Sequence, residues 1–131
     1  MKVIDASVLV NALGDDGDAG RAARAALRAA EELTAPDLIN VEVMAALRRA
    51  WLAGSLSDAQ FEAAASDLQQ LAFPRVPTRH LVARAYDLRA SVSACDAMYV
   101  ALAEALDCEL LTGDRRLANA NGPRCRIRVV R

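Results

Sequence analysis

The chain has 131 residues, 54% of them hydrophobic but only 4% aromatic, and a net charge of −1. That length suits one domain, residues 1–131, with a core built from Ala, Leu and Val. The charge balance excludes a global basic field that would attract nucleic acid, and no apolar run is long enough to span a bilayer. Cys95, Cys108 and Cys125 are widely spaced and include no C-x-x-C pair. They argue against a disulfide framework or a zinc site and read as small apolar fillers in a reducing compartment. With no signal peptide ahead of the first apolar run, the expected location is cytoplasmic.

In chain order, Lys2 to Ala6 reads as a short buried strand and Ser7 to Leu13 as a helix that "GDDGDAG" ends. Ala19 to Leu33 is rich in Ala and Arg and favours a helix. Thr34-Ala35-Pro36 forms a short extended link or strand, and Pro36-Asp37 opens a helix that runs to about Ala53, before Gly54. Ser57-Asp58 opens the next helix, to about Ala72, and Phe73 to Pro77 is extended. Helices are then expected over Thr78 to Ala90 and Ser93 to Leu106, a strand over Glu109 to Thr112, a short helix over Asp114 to Ala120, and a last strand over Arg126 to Val130. Strands alternating with helices in this way predict an α/β fold with a parallel sheet covered by helices on both faces. Ligands in such sheets bind outside the carboxyl ends of the strands, where Asp5 and Asp114 both fall.

Four acids stand out. Asp5 sits within "MKVIDASVLVNAL", where an unpartnered carboxylate is costly. Glu42 lies in "DLINVEVMAALRRAW", a helix apolar nearly all round and so expected to be largely buried; either a salt bridge to an arginine such as Arg49 or a functional site accounts for it. Taken singly, Asp96 fits a capping box with Ser93, and Asp114 in "LLTGDRRL" fits a helix N-cap. Taken together, the four converge on one edge of the sheet. Like charges so placed repel unless a hard divalent cation offsets them, and carboxylates suit Mg²⁺ or Mn²⁺. Such a cation serves phosphodiester hydrolysis.

The stretches "VIDASVLVNAL", "PDLINVEVMAALRRA", "CDAMYVALAEAL" and "LLTGDRRL" occur in an order that resembles the PIN-domain nucleases, in particular the VapC toxins of bacterial toxin–antitoxin pairs. The resemblance spans essentially the whole chain. It implies a three-layer α/β/α sandwich with a mostly parallel sheet, and an Mg²⁺- or Mn²⁺-dependent endoribonuclease acting on single-stranded regions of RNA. It assigns Asp5, Glu42, Asp96 and Asp114 to the metal and the catalysis, with Ser7 and Thr112 as supporting hydroxyls. Cys95 departs from the family's frequent tyrosine, which changes packing beside the site and not its ligands. The implied partners are RNA, a cognate VapB-type antitoxin and a second copy of the chain.

Arg115 and Arg116 flank Asp114 and are placed to touch RNA phosphate. Arg21, Arg24 and Arg28 recur at helical spacing and read as a solvated face, with an RNA backbone or an acidic antitoxin segment as the alternative. His80, the only histidine, has no catalytic role in this reading. A phosphatase with a D-x-D strand end is disfavoured by Asp5-Ala6-Ser7. A non-toxin PIN-type RNA-processing nuclease, or a module that binds RNA or a partner without cleaving, remains the alternative; the four intact acids count against the binding module.

Overall fold

In the computed structural model, which describes residues 1–131, the first strand is the centre of the sheet. Strand β1 (Lys2–Ile4) pairs in parallel with β2 (Leu33–Pro36) on one side and β4 (Glu109–Thr112) on the other. Strands β3 (Arg75–Val76) and β5 (Ile127–Val129) form the two edges, giving the order β3-β2-β1-β4-β5. The chain builds outward from β1 through β2 to β3, then crosses back to place β4 on the other flank of β1. The gap between the carboxyl ends of β1 and β4 is therefore the switch point at which such sheets bind ligands.

Two helix groups flank the sheet. Helix α1 (Ala6–Gly14) gathers α2 (Asp18–Ala29), α3 (Ile39–Leu52) and α4 (Asp58–Gln70). Helix α6 (Ala94–Ala105) packs on β1, β2 and β4 with α5 (Val82–Asp87) beside it. Short α7 (Arg115–Ala118) leans on β4 and β5. Val3, Ile4, Leu110 and Leu111 form the sheet's fully buried centre, while Ala97, Ala101 and Ala103 allow α6 to approach it closely. The α/β parallel-sheet fold follows the expected alternation of elements.

Side chains fix several element ends. The hydroxyl of Ser57 accepts from Gln60 N while Gln60 returns a bond to Ser57 N, closing a capping box on α4. Gly54, at φ 79°, supplies the left-handed residue that ends α3. Arg24 donates to the carbonyls of Ala12 and Asp15 at 3.0 and 2.9 Å, satisfying oxygens that the end of α1 leaves open. Arg21 pairs with Asp18, so of the three regularly spaced arginines Arg28 alone has the character of a free solvated side chain.

Several expectations need correction. Strand β1 ends at Ile4, and Asp5 belongs to the start of α1. Helix α2 stops at Ala29, because Leu33–Pro36 are taken into the sheet beside β1 despite the helical preference of what precedes them. Pro36 ends a strand, and Asp37 N donates to the Val76 carbonyl before α3 begins. The segment after Thr78 is a 3-10 turn (Arg79–Leu81) followed by the short α5, and not one helix to Ala90. Helix α3 is not largely buried: Ile39, Val43 and Leu47 face inward, whereas Val41, Met44, Trp51 and Leu52 are exposed. Cys95 is exposed as well, so only Cys108 and Cys125 pack against the core as fillers.

Candidate active site

Asp5 follows the last buried residues of β1 and adopts the extended backbone of an N-cap. Its Oδ1 accepts from Val8 N at 3.2 Å and from the Ser7 hydroxyl at 2.5 Å; its Oδ2 accepts from the Thr112 hydroxyl. Those hydroxyls are held in turn: Ser7 Oγ accepts from Gly113 N at 2.8 Å, and Thr112 Oγ1 from Asp114 N at 3.0 Å. The start of α1 is thus stitched to the end of β4. A Cβ added to Gly113 would stand 3.1 Å from Ser7 Oγ, so the small residue preserves this stitch. Asp5 is only 3% exposed. Burial pushes its carboxyl up to about 6, against the pull of its three hydrogen bonds, and the charge of Asp96 pushes the same way.

Asp96 rides in the first turn of α6, whose N-cap Ser93 accepts from Asp96 N at 3.2 Å. The reciprocal bond to the Ser93 backbone is not made, and the Asp96 carboxylate is half-buried. Burial, and then the nearby Asp114, raises its carboxyl above the ordinary range, against the lowering pull of the Ser93 hydroxyl. Asp114 is the N-cap of α7: it accepts from Arg116 N at 2.8 Å and from the Arg116 guanidinium at 3.3 and 3.4 Å. The backbone N–H of Arg116 and then its side chain hold the Asp114 carboxyl below the usual range.

Glu42 lies in the first turn of α3. It makes no ion pair with Arg49 or any other arginine; its Oε1 accepts from the Tyr99 hydroxyl at 2.7 Å. Tyr99 itself is 1% exposed, and burial followed by Glu42 drives its phenol far above the ordinary value, so it stays a donor. Desolvation and Glu42 also push up the Cys95 thiol beside it, which therefore remains protonated at neutral pH. Tyr99 escaped the sequence reading, because an aromatic at a buried helical position reads as core. Its placement three residues after Asp96, on the same face, was the available signal.

The structure couples Asp5 to Asp96 and Asp96 to Asp114 at the carboxyl edge of the sheet, with Ser7 and Thr112 bonded to Asp5, while Glu42 meets this edge through Tyr99. Asp5, Glu42 and Asp96 have no basic partner; Asp114 alone has one. No three Asp, Glu, His or Cys side chains of the chain meet closely enough, as they stand, to hold an ion between them. Arg115 and Arg116 are exposed on α7 beside Asp114, and exposed His80 lies in the 3-10 turn beyond edge strand β3. A separate cleft of about 550 Å³ lies at the opposite, amino-terminal end of the strands. Two of its three acids are already matched, Glu109 with Lys2, Arg126 and Arg128, and Glu104 with Arg84, while Asp107 has no ion pair.

The molecule is a parallel α/β sheet with acids gathered at its switch point, of which Asp114 alone is paired with an arginine. Residues 2–123 match the PIN domain family. Ribonuclease VapC9 of Mycobacterium tuberculosis is 42% identical over 130 residues, covering 99% of this chain and 98% of that protein. Ribonuclease VapC1 of the same organism is 44% identical over 131 residues, covering 98% and 97%. Among solved structures, FitAcB from Neisseria gonorrhoeae superposes with a TM-score of 0.72 at 16% identity, over 97% of this chain and 96% of that one. The chain belongs to the PIN-domain family, in its VapC branch. No helix is long and apolar enough to cross a membrane.

Proposed function

We propose that this chain is a divalent-cation-dependent endoribonuclease, the toxin of a VapBC-type pair, cutting single-stranded regions of RNA. One observation carries the reading: Asp5 is a buried carboxylate oriented by three neutral donors, with no basic partner and with the charge of Asp96 acting on it. Hard oxygen donors in that setting fit Mg²⁺ or Mn²⁺, and Asp5, Asp96 and Asp114, with Glu42 completing or orienting the set, would hold it. Bound there, such a cation supplies polarisation of a phosphoryl oxygen and acidification of water. Ser7 and Thr112 keep Asp5 aimed. Arg115 and Arg116, at the rim, bind the RNA backbone as forked donors to phosphate. A carboxylate of the cluster takes the proton from the attacking water, since no histidine is at hand and His80 lies beyond the far edge strand. In-line attack by water forms the new P–O bond as the bond to the departing 3′ oxygen breaks, and that oxygen takes up a proton from solvent. The products are a 5′-phosphate and a 3′-hydroxyl.

The relatives named as ribonucleases support the activity, and the VapC naming supports a cognate VapB-type antitoxin as partner. The exposed apolar side chains of α3 offer surface for such a partner or for a homodimer. The decisive assay incubates purified chain with structured RNAs in Mg²⁺, in Mn²⁺ and in EDTA, with product ends identified by mass. Cation-dependent 5′-phosphate ends are expected; a 2′,3′-cyclic phosphate formed in EDTA would overturn the mechanism. Sedimentation and co-purification with the neighbouring gene product test the partners, and a strict monomer that ignores that product refutes them.

A further inference from the structure

Neutral hydroxyls, and no cationic side chains, orient two of the acids. Asp5 is aimed by Ser7 and Thr112, and Glu42 by Tyr99. An arginine in place of any of them would satisfy the carboxylate equally well but would cancel its charge. A hydroxyl fixes the direction and leaves the negative charge uncompensated. Tyr99 suits this task because it is almost wholly buried on α6 and cannot swing away. Helices α3 and α6 belong to different packing groups with little direct contact, so the Tyr99–Glu42 hydrogen bond, beside the Cys95 thiol of the same helix, ties Glu42 to the helix that carries Asp96. The second Glu42 oxygen is left free of any N–H or O–H donor.

We propose that Tyr99 is a positioning residue of the acidic site: its phenol O–H fixes Oε1 of Glu42, sets the distance between Glu42 and Asp96, and leaves Oε2 available to a bound divalent cation or its water. This rests on the cation-dependent reading above. A purely structural alternative is that Tyr99 merely finds a partner for its buried hydroxyl.

The two roles separate by calorimetric titration of the full chain with Mn²⁺ alone. Tyr99→Phe keeps the ring and deletes the hydrogen bond. It should weaken Mn²⁺ binding by about tenfold, as loss of an outer partner of a metal ligand does. On a Glu42→Gln background the same change should add nothing beyond about twofold, because the bond acts only through Glu42. Tyr99→Phe that melts earlier but binds Mn²⁺ as the wild type does would overturn the inference and leave the cation site standing. So would equal losses in both backgrounds. Wild-type chain that binds no Mn²⁺, with or without RNA, would instead sink the cation reading itself. A second measurement avoids the Tyr99 substitution. In Tyr86→Phe, Tyr99 is the only tyrosine. Mn²⁺ should then shift its near-ultraviolet phenol band, and an unchanged band counts against the proposal.

Discussion

Asp5→Asn tests the site through stability, without any substrate. The wild-type carboxyl is lifted by burial from an ordinary 3.8 to about 6. At about 1.4 kcal/mol per pH unit, its ionisation costs the folded, cation-free protein about 3 kcal/mol at pH 7. The sign follows from linkage. Between these two values the unfolded chain has released the proton and the folded chain has kept it, so stability falls as pH rises from about 4 to about 6 and stays low above that. Asparagine removes the charge and caps α1 as well as aspartate does. Its amide N–H faces the Thr112 hydroxyl where a carboxylate oxygen stood, which returns about 1 kcal/mol of the gain. The net expectation is a stabilisation of about 2 kcal/mol at pH 7, or roughly 7 °C in Tm for a chain of this size. At pH 4 the charge contribution shrinks below about 1 kcal/mol.

Thermal and urea melts in EDTA at pH 4 and pH 7 measure the difference. Adding Mn²⁺ should then raise the wild-type Tm and leave Asp5→Asn unmoved, since a ligand stabilises only the state that binds it. The reasoning fails if Asp5→Asn is less stable than wild type in EDTA at pH 7, or if its advantage is the same at both pH values.

Gly20→Ala probes the α1–α2 hairpin: the new Cβ would stand 1.7 Å from the Asp15 carbonyl oxygen, so backbone must move. A loss of about 3 kcal/mol is expected in urea melts, and a wild-type midpoint would show that the hairpin is looser than this. Arg116→Ala, made in the Asp5→Asn chain to prevent cleavage, should weaken RNA binding evenly across sequences and reduce the salt slope by about one. An unchanged slope in filter binding would remove Arg116 from the RNA contacts.

Much of this arrangement was legible in the sequence because burial penalises charge. Asp5 announced itself by interrupting an apolar run, and Glu42 by sitting in an apolar helix. The helix start at Ser57 and the glycine after α3 were legible because they act within a few residues, although the Gln60 half of the cap was not read. Interactions across long sequence separation were not. Nothing near Arg24 reveals that it closes the end of α1, and although the spacing from Asp96 places Tyr99 near the site, it does not reveal a partner 57 residues away. The apolar surface of α3 misled for a related reason. Periodicity reports which residues avoid water, and Val41 and Met44 are exposed in the isolated chain whatever covers them in an assembly.

Asp5 also shows how a cap and the proposed ligand role are compatible in one side chain. Taken singly, the acids invite capping explanations, and the structure bears these out for Asp114 and adds one for Asp5. Capping does not exhaust them. A carboxylate has room for about four hydrogen-bonded partners, and Asp5 uses three. The N-terminus of α1 lends it a favourable dipole, which helps a buried anion to survive in the folded chain before any cation arrives. The same bonds fix its orientation, so the cation proposed to bind there would meet a carboxylate whose rotamer is already set. Asp114 is the contrast: its cap and its arginine hold its carboxyl low, whereas Asp5 and Asp96 are held high. The three therefore differ in how readily each gives up a proton. Protonation is favoured at Asp5 and Asp96 and disfavoured at Asp114.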